Sequence, residues 1–308
     1  MPLDGLLVVD KPVGPTSHDV VARVRRITGE ARVGHTGTLD PLASGVLPLV
    51  MGRATRLARF LSASTKRYVA TVCLGLSTDS GDAHGRPTGP SFEGPLPDTA
   101  TIERALEAFR GTFLQRPPAV SAKKIGGTRS YDLARQEGAV HGRPEPVSVS
   151  ALIDLVTVED RLLTLQVDCS PGFYVRALAH DLGERLGTGA HVVALRRIRS
   201  GEIGISEALP LSDIEAGGRA RAVAHVVPLS LMPLGMPGLR LTEAGTRRAR
   251  HGRDLGPCDM LEMLPGTQSP DPAPGQGYVR LFDPGGDLLG VARATAAPGI
   301  LHPAVILG

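Results

Sequence analysis

The chain has 308 residues, which at roughly 150 residues per domain suggests one large domain and a smaller one and excludes a miniature disulfide scaffold. Its 34 Lys and Arg against 31 Asp and Glu leave a net charge of +3, too small by itself to indicate a partner. With no Trp, four Tyr and six Phe, the composition argues against recognition through rows of stacked bases.

Placement of charge says more than its sum. Residues 1–68 hold ten Lys and Arg against five Asp and Glu, whereas residues 77–109 hold two against six. Such asymmetry fits one polyanion-facing surface, and equally a set of alternating solvated faces. The 38 Gly and 26 Pro predict a globular chain rich in loops. Cys73, Cys169 and Cys258 lie far apart, so neither a zinc framework nor a disulfide set is expected, and a reducing, cytoplasmic location is. Asp4 and Asp10 interrupt the apolar N-terminal stretch, which does not read as a signal peptide, and no run reaches the ~18 apolar residues of a membrane span.

In chain order, residues 6–9 followed by Asp-Lys-Pro read as a buried strand ending in a turn. Thr16-Ser-His-Asp19 is a capping-box pattern, and Val20, Val21, Val24 and Ile27 follow at helical spacing. Residues 34–52 show neither period and read as a long loop. Residues 67–76 are rich in strand formers, and 77–97 form a polar, acidic connection. Residues 98–110 place Ile102, Ala105, Leu106 and Phe109 on one face, predicting a helix stopped by Gly111. Residues 115–146, with six Lys and Arg against three acids, suit an inserted arm. Residues 147–158 and 162–167 predict a hairpin, and 173–186 a helix closed by Gly187. Residues 231–238 read as a linker, 242–251 as a short basic helix, 257–277 as a loop, and 278–283 with 288–292 as a last hairpin. This order indicates an α+β fold with a mixed sheet and a small β-rich terminal domain.

The stretch richest in chemistry is Gly34-His-Thr-Gly-Thr-Leu-Asp40-Pro-Leu-Ala-Ser-Gly45. It sets one carboxylate, Asp40, and one imidazole, His35, among glycines that permit close backbone approach to a ligand. An Asp-Pro turn with a capping histidine would look the same. P-loop, nucleophile-elbow and zincin motifs are all missing, so no metal or cofactor is expected.

That stretch, with Leu7-Val-Val-Asp-Lys-Pro-Val-Gly-Pro-Thr-Ser17 before it and Lys66-Arg-Tyr68 after it, closely resembles the bacterial TruB family of tRNA pseudouridine-55 synthases. Arg116-Pro-Pro-Ala-Val-Ser-Ala-Lys-Lys124, Gly127-Thr-Arg-Ser-Tyr-Asp-Leu-Ala-Arg135, Gly172-Phe-Tyr-Val-Arg176 and Gly189-Ala-His-Val-Val-Ala-Leu-Arg-Arg197 extend the match in order to about residue 200. Thr38 departs from the pattern, standing where many relatives have a small apolar residue.

The resemblance implies a pseudouridine synthase fold with a mixed, largely antiparallel central sheet flanked by helices. It implies a catalytic domain over residues 1–230 with an RNA-binding insertion at about 115–146, a linker at 231–238 and a PUA-like RNA-binding domain at 239–308. The implied reaction isomerises uridine 55 in the T-loop of tRNA after flipping the base out of the RNA. Asp40 falls on the family's catalytic aspartate, serving by charge stabilisation, by attack or by proton removal. Arg176 falls on the arginine that pairs with it, and Tyr68 on the tyrosine that packs on the target uracil. Tyr174, His35 and Leu195 match substrate-contacting positions, although each would otherwise read as core or cap. Lys11 reads as an RNA contact or a structural ion pair, and Lys123, Lys124, Arg129 and Arg135 belong to an arm that clasps the T-arm. A monomer without an obligate protein partner is expected. The alternatives are a non-catalytic tRNA-binding or folding protein, and a guide-dependent synthase of the archaeal and eukaryotic type.

Overall fold

The computed structural model describes residues 3–118, 145–264 and 277–308, with the backbone of 124–125 and 128–129. Its elements begin β1 (Gly5–Lys11), α1 (Ser17–Thr28), β2 (Val33–His35), β3 (Ala43–Met51), α2 (Ala58–Ser62), β4 (Lys66–Leu74), α3 (Thr99–Leu106) and β5 (Gly111–Gln115). They continue with β6 (Lys124–Ile125), β7 (Thr128–Arg129), β8 (Val147–Glu159), β9 (Leu162–Cys169), α4 (Val175–Leu186), β10 (Ala190–Ser200), β11 (Ile203–Gly204), β12 (Leu209–Pro210) and α5 (Leu211–Ala224). The last are β13 (Val227–Pro228), β14 (Gly238–Leu241), α6 (Glu243–Arg250), β15 (Met260–Leu264), β16 (Tyr278–Phe282), β17 (Leu288–Ala294) and β18 (Leu301–Ile306). Two compact units result: residues 1–37, 46–64 and 200–308, and residues 38–45 and 65–199.

In the first unit β1 runs parallel to β12 and antiparallel to β13, while β2 pairs antiparallel with β3. The capping box forms as the sequence predicts: Asp19 N donates to Thr16 Oγ1 at 3.1 Å, and Thr16 N donates to Asp19 Oδ2 at 2.8 Å. A five-stranded sheet ordered β15-β14-β16-β17-β18 closes the chain. Its Phe282, Leu288 and Val291 share one core with Leu6, Val8, Val46 and Val50.

Two expectations need correction in this unit, over residues 34–52 and over 257–277, where Met260–Leu264 forms β15 antiparallel to β14 in place of the expected loop. Residues 34–52 are not one long loop, because Val46-Leu-Pro-Leu-Val-Met51 lies in β3 with every residue from Gly45 onward buried. A strand buried on both faces has no alternation to read. Residues 231–238, expected as a linker, bury Met232, Leu234 and Met236 in the shared core, and their spacing of two is the signal that Pro and Gly obscure.

The second unit is built on the strand order β10-β4-β9-β8-β5, with the first residues of β3 beside β10. The β4–β9, β8–β9 and β5–β8 ladders are antiparallel, whereas β10 and β3 are parallel. Strand β9 alternates strictly, burying Leu163, Leu165, Val167 and Cys169. Ile102 and Leu106 of α3, with Leu178 and Leu182 of α4, pack in one core with these residues and with Val72, Ile153 and Val192 of the neighbouring strands. Each such side chain contributes about 1.5–3 kcal/mol on leaving water. This packing fixes α4 against the sheet. Periodicity does not reveal strand β10, because its burial follows no simple period.

Candidate functional site

Asp40 lies in the seven-residue loop between β2 and β3, where its carbonyl accepts from Ala43 N at 3.0 Å. That turn presents the carboxylate to the first turn of α4, and Arg176 Nε meets Asp40 Oδ2 at 2.9 Å. The Arg176 side chain is only 9% exposed, against 40% for Asp40.

The rest of the guanidinium has its own partners. Arg176 Nη1 donates to Ser80 O at 2.9 Å and lies 3.7 Å from Asp82 Oδ2. Asp82 is itself buried and anchored, its Oδ1 accepting from Ser80 Oγ at 2.8 Å and from His84 N at 3.0 Å. The segment is pinned to β10, since Ala83 N donates to Val192 O and Val192 N donates to Gly81 O. Gly81 has φ +73, and an added Cβ would stand 3.2 Å from Arg176 O. One arginine thus spans two carboxylates, one sealed and one open.

The sequence does not single out Asp82, which reads there as one acid of a polar connection. Nothing in local spacing ties it to Asp40 or Arg176.

Tyr174 precedes α4, its backbone held on both sides by Gln115: Tyr174 N donates to Gln115 Oε1 at 2.8 Å, and Gln115 Nε2 donates to Tyr174 O at 3.0 Å. Gln115 is 1% exposed, so β5 sets the entry of this helix. Tyr68 on β4 packs against the core of the second unit, as does Leu195 on β10. Burial pushes the Tyr68 phenol above its ordinary range, opposed by the charge and hydrogen bond of Arg197, while Asp40 adds to the rise. The structure therefore brings Asp40, Arg176 and Tyr68 into one electrostatic neighbourhood.

His35 ends β2 in the first unit, its ring edge-on to His18 with centroids 5.2 Å apart. Lys11 is fully buried, Nζ donating to Pro12 O at 2.8 Å, and a side chain with no exposed surface cannot reach an RNA backbone. Lys124 and Arg129 pair across the β6–β7 ladder, while Lys123 and Arg135 lie outside the described residues. Among the described residues no group of three or more His, Cys, Asp or Glu is placed to hold a metal ion, and no helix is long and apolar enough to cross a membrane.

Lys66, two residues before Tyr68, stands out in the sequence as one of four lysines and as part of a motif. It is 7% exposed and faces Cys169 across the β4–β9 ladder. Burial, with the charge of Arg197 second, pushes its ammonium down to about 8 from an ordinary 10.5, and burial pushes the Cys169 thiol up to about 12. Below pH 8 both folded and unfolded chains hold the proton, so the folded state carries the full cost of the buried charge. Between 8 and 10.5 only the unfolded chain retains it, so rising pH relieves that cost. Lys66→Met is expected to be more stable than wild type at pH 7 by up to about 3 kcal/mol, the gain fading by about pH 10. Urea unfolding at the two pH values checks this, and an equal gain at both would contradict it.

Comparison with known proteins places these features in context. Residues 25–175 match the model for the TruB family pseudouridylate synthase N-terminal domain, and residues 176–227 that for the tRNA pseudouridylate synthase B C-terminal domain. The chain is 44% identical to tRNA pseudouridine synthase B of Solibacter usitatus over 306 residues, covering 99% of this chain and 100% of that protein. It is 39% identical to the protein of the same name from Burkholderia mallei, over 98% of this chain and 96% of the relative. Among solved structures, it is similar to one titled as a crystal structure of a Cbf5-Nop10-Gar1 complex, with TM-score 0.72 and 25% identity over 99% of this chain and 85% of that one.

Proposed function

Because the chain belongs to the TruB family of pseudouridylate synthases, we propose that it converts uridine 55 in the T-loop of tRNA to pseudouridine, with Asp40 as the essential carboxylate. The observation that carries this reading is the 2.9 Å contact between Asp40 and a nearly buried Arg176.

The reaction breaks the N1–C1′ glycosidic bond, turns the uracil and forms a C5–C1′ bond, after which C5 loses a proton and N1 gains one. Product and substrate are isomers, so nothing is consumed. Positive charge develops at C1′ as the bond breaks, and a carboxylate beside it serves by stabilisation, by attack or by removing a neighbouring proton. Each role needs an anionic oxygen that is fixed in place yet reachable. Asp40 meets that requirement: Oδ2 is held by Arg176, and the side chain keeps 40% of its surface.

Arg176 orients the carboxylate, and Asp82 with Ser80 O orients Arg176 in turn. Tyr68 supplies a ring for the uracil to pack on and a phenol near the atoms that exchange protons. Leu195 and Tyr174 complete the pocket. His35 reads the RNA loop. The target base must leave its stack, at a cost of a few kcal/mol recovered through contacts with protein and phosphates. Lys123, Lys124 and Arg129 of the insertion, and the terminal sheet as a PUA-like domain, extend the RNA contact beyond the site.

The test is the modification state of tRNA from cells lacking the protein and regaining it. Pseudouridine at position 55 is expected to disappear and to return with the wild-type chain. Loss at a different position, or no loss at all, would overturn the assignment.

A further inference from the structure

Arg176 meets Asp40 only if α4 starts from the right place. The N-cap of that helix is Tyr174, extended at φ −120 and ψ 111, and its side chain makes no capping hydrogen bond. At most helix starts a Ser, Thr, Asp or Asn side chain fixes the first turn by accepting from its free N–H groups. Here the Tyr174 carbonyl accepts the first intrahelical bond, from Leu178 N at 3.1 Å, and Arg176 is the second residue of the helix. Whatever holds the two peptide groups of Tyr174 therefore sets the direction in which Arg176 leaves the backbone.

Strand β5 holds them at two points. Gln115, 1% exposed, accepts from Tyr174 N at 2.8 Å and donates to Tyr174 O at 3.0 Å. Two residues earlier, at the spacing that returns a strand to the same face, Phe113 meets Phe173 edge-on with centroids 6.2 Å apart. The strand is itself fastened to β8 by an antiparallel ladder in which Gln115 stands opposite Val147. Residues 173 and 174 are thus tied to the sheet before the helix begins. In the sequence Gln115 reads only as the first residue of the basic insertion.

We propose that Gln115 is a positioning residue for the reaction: its amide clamps the backbone of Tyr174 and so aims Arg176 at Asp40. This rests on the pseudouridine synthase reading above. A primary amide carries a donor and an acceptor side by side on one rigid plane, matching the N–H and C=O of a single extended residue as a neighbouring strand would. An ionised carboxylate offers acceptors alone, and an apolar side chain offers neither. Being buried, Gln115 acts on the substrate only through what it holds. Arg176 Nε lies 2.9 Å from Asp40 Oδ2, so a displacement of about 1 Å at the helix start breaks that contact, and misplacement on this scale costs about 10²-fold in rate.

A double-mutant cycle tests this with Gln115→Met, Arg176→Lys and the pair, measured as single-turnover pseudouridine formation on tRNA in enzyme excess, with RNA affinity alongside. Gln115→Met keeps the length of the side chain and removes both hydrogen bonds. It is expected to slow the chemical step about 10²-fold, with affinity changed less than about threefold. In the Arg176→Lys background, where the planar fork that Gln115 aims is already gone, the same substitution is expected to cost less than about fivefold. Equal losses in both backgrounds, or a loss carried by affinity, would overturn the proposal. Should Gln115→Met fail to fold, Gln115→Glu provides the second arm. Its protonated carboxyl reproduces the donor and acceptor pair, and its ionised form loses the donor and faces the Tyr174 carbonyl. The rate of this variant relative to wild type is expected to fall at least about tenfold between pH 6 and pH 9, and a ratio that holds steady would overturn the proposal. A wild-type chain that forms no pseudouridine would instead sink the enzymatic reading. The clamp is then still decided by hydrogen exchange of the Tyr174 amide, expected to quicken more than about tenfold in Gln115→Met.

Discussion

Asp40→Asn is expected to lower single-turnover pseudouridine formation by at least about 10⁴-fold, equivalent to about 5.5 kcal/mol of transition-state stabilisation, while tRNA affinity changes by no more than a few fold. The substitution is isosteric. An asparagine oxygen still accepts from Arg176 Nε, and Arg176 keeps Ser80 O and Asp82 as partners. What disappears is the negative charge on the more exposed of the two carboxylates. All three roles open to the carboxylate need that charge, so the expected loss does not depend on which one operates. Enzyme-excess kinetics with filter binding separates chemistry from affinity. A variant within about tenfold of wild type would remove Asp40 from the reaction.

Arg176→Met is expected to damage both folding and chemistry. The Arg176 and Asp82 side chains are each 9% exposed, so deleting the cation leaves a buried carboxylate without its counter-charge, a change that costs about 3–5 kcal/mol. Asp40 loses its orienting partner as well, and the rate on the remaining folded protein is expected to fall about 10²–10³-fold. Arg176→Lys should recover little activity, because a point charge cannot reach Asp40, Asp82 and Ser80 O together as a planar fork does. The double variant Arg176→Met with Asp82→Asn is expected to be more stable than Arg176→Met alone, since it removes the stranded charge. Thermal unfolding of wild type and the three variants checks this order. If the double variant proves no more stable than the single one, the two carboxylates do not depend on Arg176 in the way described.

The parts legible in the sequence are those set by local physics. The Thr16 and Asp19 capping box, the spacing of Val175, Leu178, Ala179 and Leu182 on α4, and the alternation of β9 are each written within about a dozen residues. The parts that escape such reading are non-local. Asp82 reaches Arg176 only because two backbone hydrogen bonds tie its segment to Val192, far along the chain, and no spacing rule encodes that meeting. Burial on both faces hides strand β3, and Pro and Gly hide the packed segment that carries Met232, Leu234 and Met236. Asp40, Tyr68 and Arg176 emerge from motif resemblance, and spacing alone leaves each with an ordinary structural explanation.

The most direct measurement is to incubate the purified chain with an unmodified T-arm stem-loop, then determine the mass of the intact RNA and the nucleosides released by digestion. Isomerisation at the active carboxylate predicts an RNA of unchanged mass in which one uridine, that at the position of U55, has become pseudouridine. An RNA that stays unmodified, or that loses uracil and so loses mass, would contradict it.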